Sequence, residues 1–443
     1  MELHKVTLPH RVDDSMAVWE EFKEVSIKYK CVSLGEGAPG MNPPQFLVDA
    51  MIESIQEGFN QYTRIMGNPL LVNKIAEIYG KKLNRQVNPL TEVIVGVGAY
   101  TLLGSIILAL IDPSKNEEIV IFEPCWPCYY DHVQISNAVY RSVPFKLVDG
   151  VWRFDPEEFR KTLNEKTKIL LLNNAQNPTG KLFSREEYQQ ISDILKEFPN
   201  IIILSDEVYE YLTFDDNEFI HFATIDDNFN KTISVFSGGK LFNATGWKVG
   251  WALGPSYLVK AIATIINALV YSTNTPAQVA ISKSLDKLTQ KGYLGNEDQT
   301  YLEYVRSEFQ RVRDYMVKEI NENMDLPIKA LTCESGYFIM VDITDVIPMI
   351  PKKYTESHDF EDLQEGESSC NLNRVYMPDG RIPNDLAFCR WMAVERKVMM
   401  MPNSLFYYKD SLYKTDNYVR LAICKGLDLS AKAILRLQGK SDQ

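Results

Sequence analysis

The chain has 443 residues, 45% hydrophobic and 24% charged, which is length for a large domain beside a smaller one and an ordinary composition for a globular protein. A formal net charge of −12 with no local basic patch argues against a nucleic-acid partner. Apolar runs such as Leu102 to Ile111 and Ala261 to Val270 fall short of the ~20 residues of a membrane span, so no membrane partner is expected.

Met1 to Lys30 shows neither the apolar stretch of a secretory signal nor the Arg-rich, acid-poor pattern of a transit peptide, so a cytoplasmic location is expected. Seven cysteines without framework spacing fit reduced thiols there. Within this segment Val18, Trp19, Phe22, Val25 and Ile27 mark an amphipathic helix, followed by an extended Cys31 to Leu34 and the turn Gly35-Glu36-Gly37. Helices are predicted over Phe46 to Gly58 and Pro69 to Leu83, with a polar loop, Asn60 to Arg64, that carries Tyr62.

From Thr91 short apolar runs alternate with helical segments, the pattern of an α/β fold with a mostly parallel sheet flanked by helices. Seven strands are expected, at Val93–Val97, Ile119–Phe122, Val139–Val143, Ile169–Leu172, Ile201–Leu204, Thr232–Phe236 and Val249–Leu253. Beyond Gly254 come helices over Ser256 to Val270, Pro276 to Leu288 and Gln299 to Asn323. The remainder reads as α+β: strands at Gly336 to Asp342, Val398 to Met401 and Tyr418 to Ile423, a helix over Pro383 to Lys397 and another at the C-terminus. The expected organisation is a large domain over 46–323 and a smaller α+β domain from 1–45 and 324–443. An acidic, Ser-rich surface insertion is expected at 355–369.

Candidate functional residues follow the ends of these strands, where open α/β sheets place ligands. Gly98-Ala99-Tyr100 opens a helix whose free N–H groups could hold a phosphate, though an ordinary strand-to-helix turn would look the same. Cys125-Trp126-Pro127-Cys128 has the spacing of a redox motif, but its place inside a multi-strand unit disfavours a Cys125–Cys128 disulfide, and a metal would need more ligands than His132. Trp126 could stack on a flat ligand or simply pack in the core. Asn173 and Asn177 close one strand, with Asn177 able to donate to an oxyanion. Asp206 ends another and calls for a cation there, and Tyr209 can donate a phenolic hydrogen bond.

Lys240 lies in Ser237-Gly238-Gly239-Lys240, with Lys248 eight residues on. A buried lysine beside another cation is nucleophilic and forms imines, whereas a solvated surface lysine is the commoner role. Pyridoxal 5'-phosphate answers the whole set: an aldehyde for Lys240, a phosphate for Gly98, Ala99, Ser237 and Lys248, a ring nitrogen for Asp206, a phenolate oxygen for Asn177 and Tyr209, and a flat face for Trp126.

In order, Asn-Pro-x-Gly at 177–180, Asp-x-x-Tyr at 206–209, Ser-x-x-Lys at 237–240 and Gly-Trp-Lys-x-Gly-Trp at 246–251 resemble the fold-type I pyridoxal-phosphate aminotransferases of class I/II. Val18 to Phe22, Leu34 to Gly37, Asn60 to Thr63 and Arg420 bring the resemblance closest to the kynurenine aminotransferase, glutamine transaminase K and cysteine-conjugate β-lyase group.

The resemblance implies ping-pong transamination between an amino acid and a 2-oxo acid through a Lys240 Schiff base, the cofactor passing through pyridoxamine phosphate. Catalysis would rest on Lys240, Asp206 and Tyr209. Gly37, Asn177 and Arg420 would hold the substrate carboxylate, and Trp19 would line the side-chain pocket. A homodimer with shared sites is implied, with Tyr62 reaching the partner's cofactor phosphate, Tyr271 reaching the partner's substrate, and Val249–Leu253 the one antiparallel strand. Glutamine, methionine, phenylalanine and kynurenine are the expected donors, and a β-lyase or cyclase on the same scaffold is the alternative. Ala99 and Trp126 stand where the group has Gly and Phe, Tyr271-Ser272 where it has Phe-His, and Glu36 where it has Gln, which leaves the donor open.

Overall fold

The computed structural model describes residues 17–356 and 376–440, with side chains from residue 21 onward. The acidic segment expected at 355–369 therefore lies, from residue 357, outside the described residues, as does the side chain of Trp19.

The seven expected strands all form and make one sheet. They are β1 (Val93–Val97), β2 (Glu118–Glu123), β3 (Val139–Pro144), β4 (Thr167–Asn173), β5 (Ile202–Asp206), β6 (Thr232–Ser237) and β7 (Val249–Leu253), in the spatial order β1-β7-β6-β5-β4-β2-β3. The pairs β6-β5, β5-β4, β4-β2 and β2-β3 are parallel, while β7 is antiparallel to both β6 and β1. The central strands are mostly apolar because both faces are covered, whereas the edge strand β3 carries the exposed Arg141. Alternate residues feed different cores: Ile119, Ile121, Ile169 and Leu171 join one cluster, and Val120, Phe122, Leu170 and Leu172 another, as the two-residue period of a strand requires.

A second, antiparallel sheet contains β8 (Lys329–Ala330), β9 (Phe338–Asp342), β10 (Met401–Pro402) and β11 (Tyr418–Ala422), in the order β8-β9-β11-β10. The stretch expected as a single strand from Val398 to Met401 is divided. Val398 and Met399 pair with Val32 and Ser33, whereas Met401 and Pro402 pair with β11, so the chain passes from one sheet to the other at Met400. The helix expected over Pro383 to Lys397 is likewise two pieces: Asn384–Trp391 is α-helical and Met392–Arg396 continues as a π-helix. Lys397, at φ 56°, ends it in the left-handed region.

Helix starts follow local chemistry. Asn68 accepts from the Leu70 N–H ahead of Pro69, and Ser184 and Thr300 each form a capping box with a glutamate three residues on, Glu187 and Glu303. No helix among the described residues is long and apolar enough to cross a membrane.

Candidate active site

The carboxyl ends of β4, β5 and β6 and the turn after β1 face a cavity of about 340 Å³. Most residues singled out in the sequence line it: Gly37, Gly98, Ala99, Tyr100, Trp126, Asn173, Asn177, Asp206, Tyr209, Ser237, Lys240, Lys248 and Arg420. Tyr62 and Tyr271 do not line the cavity of their own chain. They are 81% and 53% exposed, and their rings meet edge to face at 5.2 Å.

Lys240 leaves β6 through a single helical turn, Gly238–Leu241, capped by Ser237, whose hydroxyl accepts from the Lys240 N–H at 3.2 Å. Its amine donates to the Gly37 carbonyl at 2.8 Å. Burial pulls the amine down to about 8; among the charged groups around it, Asp206 pulls upward while Arg420 and Lys425 push downward. The cation that favours a neutral lysine is therefore Arg420 before Lys425, rather than Lys248 as the spacing had suggested. Burial also raises the Cys424 thiol, keeping it neutral.

Asp206 ends β5 only 3% exposed. It accepts from the Tyr129 hydroxyl at 2.7 Å and from the Val208 N–H at 3.3 Å. Burial pushes its carboxyl up to about 6, the Tyr129 hydroxyl opposing. Tyr209, 5% exposed, has its phenol raised above its ordinary range by burial and so stays a hydrogen-bond donor.

Arg420, in β11, is 2% exposed and has no carboxylate partner among the described residues. Its Nη1 donates to Asn177 Oδ1 at 2.8 Å, its Nη2 to the Gly35 carbonyl at 2.5 Å, and its Nε makes no hydrogen bond. The guanidinium lies over the Phe338 ring at 3.8 Å and the Phe406 ring at 4.6 Å. A buried cation with a spare N–H fits the carboxylate of an incoming acid. Asn177 is held in turn, since its own N–H donates to Asn173 Oδ1 at 2.9 Å and Asn173 donates to the Asp206 carbonyl at 3.1 Å.

At the end of the cavity formed by the turn after β1, Gly98 takes φ +73° and starts the helix Gly98–Leu110. A side chain there would come within 3.5 Å of the Lys248 amine. Lys248 itself adopts φ 54°, a left-handed conformation uncommon outside glycine. Trp126 meets Tyr100 at 5.6 Å and Tyr129 at 5.5 Å, both edge to face. Cys125 and Cys128 form no disulfide with each other; Cys125 is buried with its sulfur 3.1 Å from the Tyr130 hydroxyl. The donors therefore fit pyridoxal phosphate. A helix start and a cation suit its phosphate, a buried acid its ring nitrogen, and a buried amine its aldehyde.

Residues 29–428 match the family described as aminotransferase class I and II. The chain belongs to this family. It is similar to the kynurenine–oxoglutarate transaminase of Dictyostelium discoideum, 32% identical over 92% of this chain and 90% of that protein, and to kynurenine–oxoglutarate transaminase 1 of Homo sapiens, 29% identical over 92% of each. Among solved structures, N-succinyldiaminopimelate aminotransferase from Mycobacterium tuberculosis superimposes with a TM-score of 0.82 at 25% identity, over 98% of this chain and all of that one. The aminotransferase is accordingly a pyridoxal-phosphate-dependent enzyme of the kynurenine aminotransferase-like kind, and a family that uses this cofactor acts on amino acids and 2-oxo acids.

Tyr129, Thr245 and Phe338 are among the lining residues that the sequence did not single out. Tyr129 adjoins the Cys-x-x-Cys segment, but nothing local says that its hydroxyl reaches the end of a strand 77 residues later.

Proposed function

We propose that this aminotransferase moves the amino group of a large neutral or aromatic amino acid to a 2-oxo acid in two half-reactions, with Lys240 as both cofactor anchor and proton carrier. The observation that carries the reading is the shared cavity, in which a buried lysine, a buried aspartate and a buried arginine bonded to Asn177 converge. Bound pyridoxal phosphate supplies an aldehyde that exchanges amines and a ring that accepts electrons.

The chain's own residues do the rest. Arg420 and Asn177 fix the substrate carboxylate, which settles the position of its Cα. Lys240, neutral above about pH 8, takes the Cα proton and returns it to the product side. Asp206, oriented by Tyr129, favours positive charge on the ring nitrogen. Gly98, Ala99, Ser237 and Lys248 would hold the phosphate, Tyr209 would donate to the ring oxygen, and Trp126 would offer the ring a flat face.

The donor assignment draws on the aromatic lining, Tyr100, Trp126 and Phe338, and on relatives named as kynurenine transaminases. The exposed Tyr62 and Tyr271 support a homodimer in which each chain completes its partner's site.

Lys240→Ala is expected to abolish turnover together with the visible absorbance of the bound aldehyde. Retention of both would refute the anchor. Kynurenine, glutamine, methionine and phenylalanine tested against several 2-oxo acids will identify the donor, and activity confined to acidic or basic donors would overturn the class proposed.

A further inference from the structure

Tyr337 is fully buried, at 0% exposed, immediately before β9, and neither its sequence context nor the cavity lining draws attention to it. Yet it touches Lys240 at both ends. Its hydroxyl donates to the Lys240 carbonyl at 3.3 Å and lies 3.5 Å from Asn243 Oδ1, and its ring centroid is 4.7 Å from the Lys240 amine. The Tyr209 ring is 5.4 Å from the same amine, and the two rings are 4.7 Å apart, tilted by 51°. Phe309 backs Tyr337 at 5.1 Å, so its ring cannot swing aside without opening the core.

We propose that Tyr337 is a positioning residue for Lys240, its hydroxyl fixing the lysine's main chain and its ring face holding the free ammonium whenever the lysine is not bound to the cofactor. The inference rests on Lys240 being the cofactor's anchor.

The chemistry needs such a rest position. A lysine that shuttles a proton must exist detached, as amine and as ammonium, inside a cavity where burial disfavours the ammonium. The charged and titratable groups around it are Asp206 and Tyr209 beside β5, and Arg420, Cys424 and Lys425 on and after β11. Arg420 and Lys425 repel the ammonium, and Asp206 is already engaged by Tyr129. That leaves the Gly37 carbonyl and the negative faces of two tyrosine rings to receive it. Of the two rings, that of Tyr337 lies closer to the amine, at 4.7 Å against 5.4 Å.

The test replaces Tyr337 in the full-length protein by phenylalanine, difluorophenylalanine and pentafluorophenylalanine, which keep the shape while weakening and then reversing the charge of the ring face. In cofactor-stripped protein, pulse acylation across a pH series with mass mapping reads the titration midpoint of Lys240 directly, and the loaded enzyme serves as the protected control. The expected midpoints are the same for tyrosine and phenylalanine and then fall stepwise, by about 0.5 pH unit or more for the pentafluoro ring. A midpoint unmoved by fluorination, in variants that melt like the wild type, would overturn the proposal. A fall as large on loss of the hydroxyl alone would overturn the role given to the ring face. Failure of the cofactor to protect Lys240 in the control would instead remove the anchor assignment, so the two ideas fail separately.

Discussion

Asp206 is a buried carboxyl, and its burial makes stability depend on pH. With the carboxyl raised by burial from the unfolded ~3.9 to about 6, the folded chain favours the protonated form more than the unfolded chain does. The stability this group contributes is then complete below pH ~4 and is lost as pH rises through 6, by at most about 3 kcal/mol. Urea unfolding of the stripped protein should therefore show wild type falling relative to Asp206→Asn between pH 4 and 7, with the gap closing once pyridoxal phosphate is bound. Parallel pH curves for the two stripped proteins would mean that water or Tyr129 already stabilises the anion. Tyr129 was invisible in the sequence for a related reason. It follows β2, Asp206 ends β5, and only the order β5-β4-β2 in the sheet brings its hydroxyl within 2.7 Å.

At the level of elements, the turn that starts the helix Gly98–Leu110 is held from beneath by β7. A Cβ on Gly250 would meet the Ala99 nitrogen at 2.6 Å, the Gly98 carbonyl carbon at 2.8 Å and the Phe236 oxygen at 2.9 Å, all backbone atoms, whereas one on Gly246 would meet nothing within 4 Å. Gly250→Ala is expected to cost about 1–3 kcal/mol or more and to weaken cofactor binding, with Gly246→Ala close to neutral, as measured by urea unfolding and cofactor titration. Equal effects would separate the turn from the strand. The central strands were legible because parallel, doubly covered strands are apolar along their whole length and end abruptly in polar residues such as Asp206 and Ser237. The π-helix at Met392–Arg396 and the division at Met400 were not, because both depend on which partner segment the chain must reach rather than on its own periodicity.

For the molecule as a whole, the chain's beginning is tied to its late helices by one buried ion pair. Arg390, 2% exposed, donates from Nε and Nη2 to the two oxygens of Glu21, 3% exposed, at 2.8 and 3.2 Å. Glu21→Ala removes the carboxylate that both of these hydrogen bonds reach and is expected to destabilise by about 1.5–3 kcal/mol or more in thermal or chemical unfolding. A loss under about 1 kcal/mol would show that the pair does not hold the two parts together. The same long-range assembly gives the antiparallel strand β7 a geometric duty. The chain leaves β6 at Ser237, places Lys240, turns, places Lys248 and re-enters the sheet so that Gly250 sits opposite Ser237. The segment acts as a calliper, with one amine on each jaw and a gap fixed by strand pairing on one side and by the helix start at Gly98 on the other. Adding or deleting one residue between the jaws would keep both lysines, and every motif around them, yet the jaws would no longer close on the two ends of the same molecule.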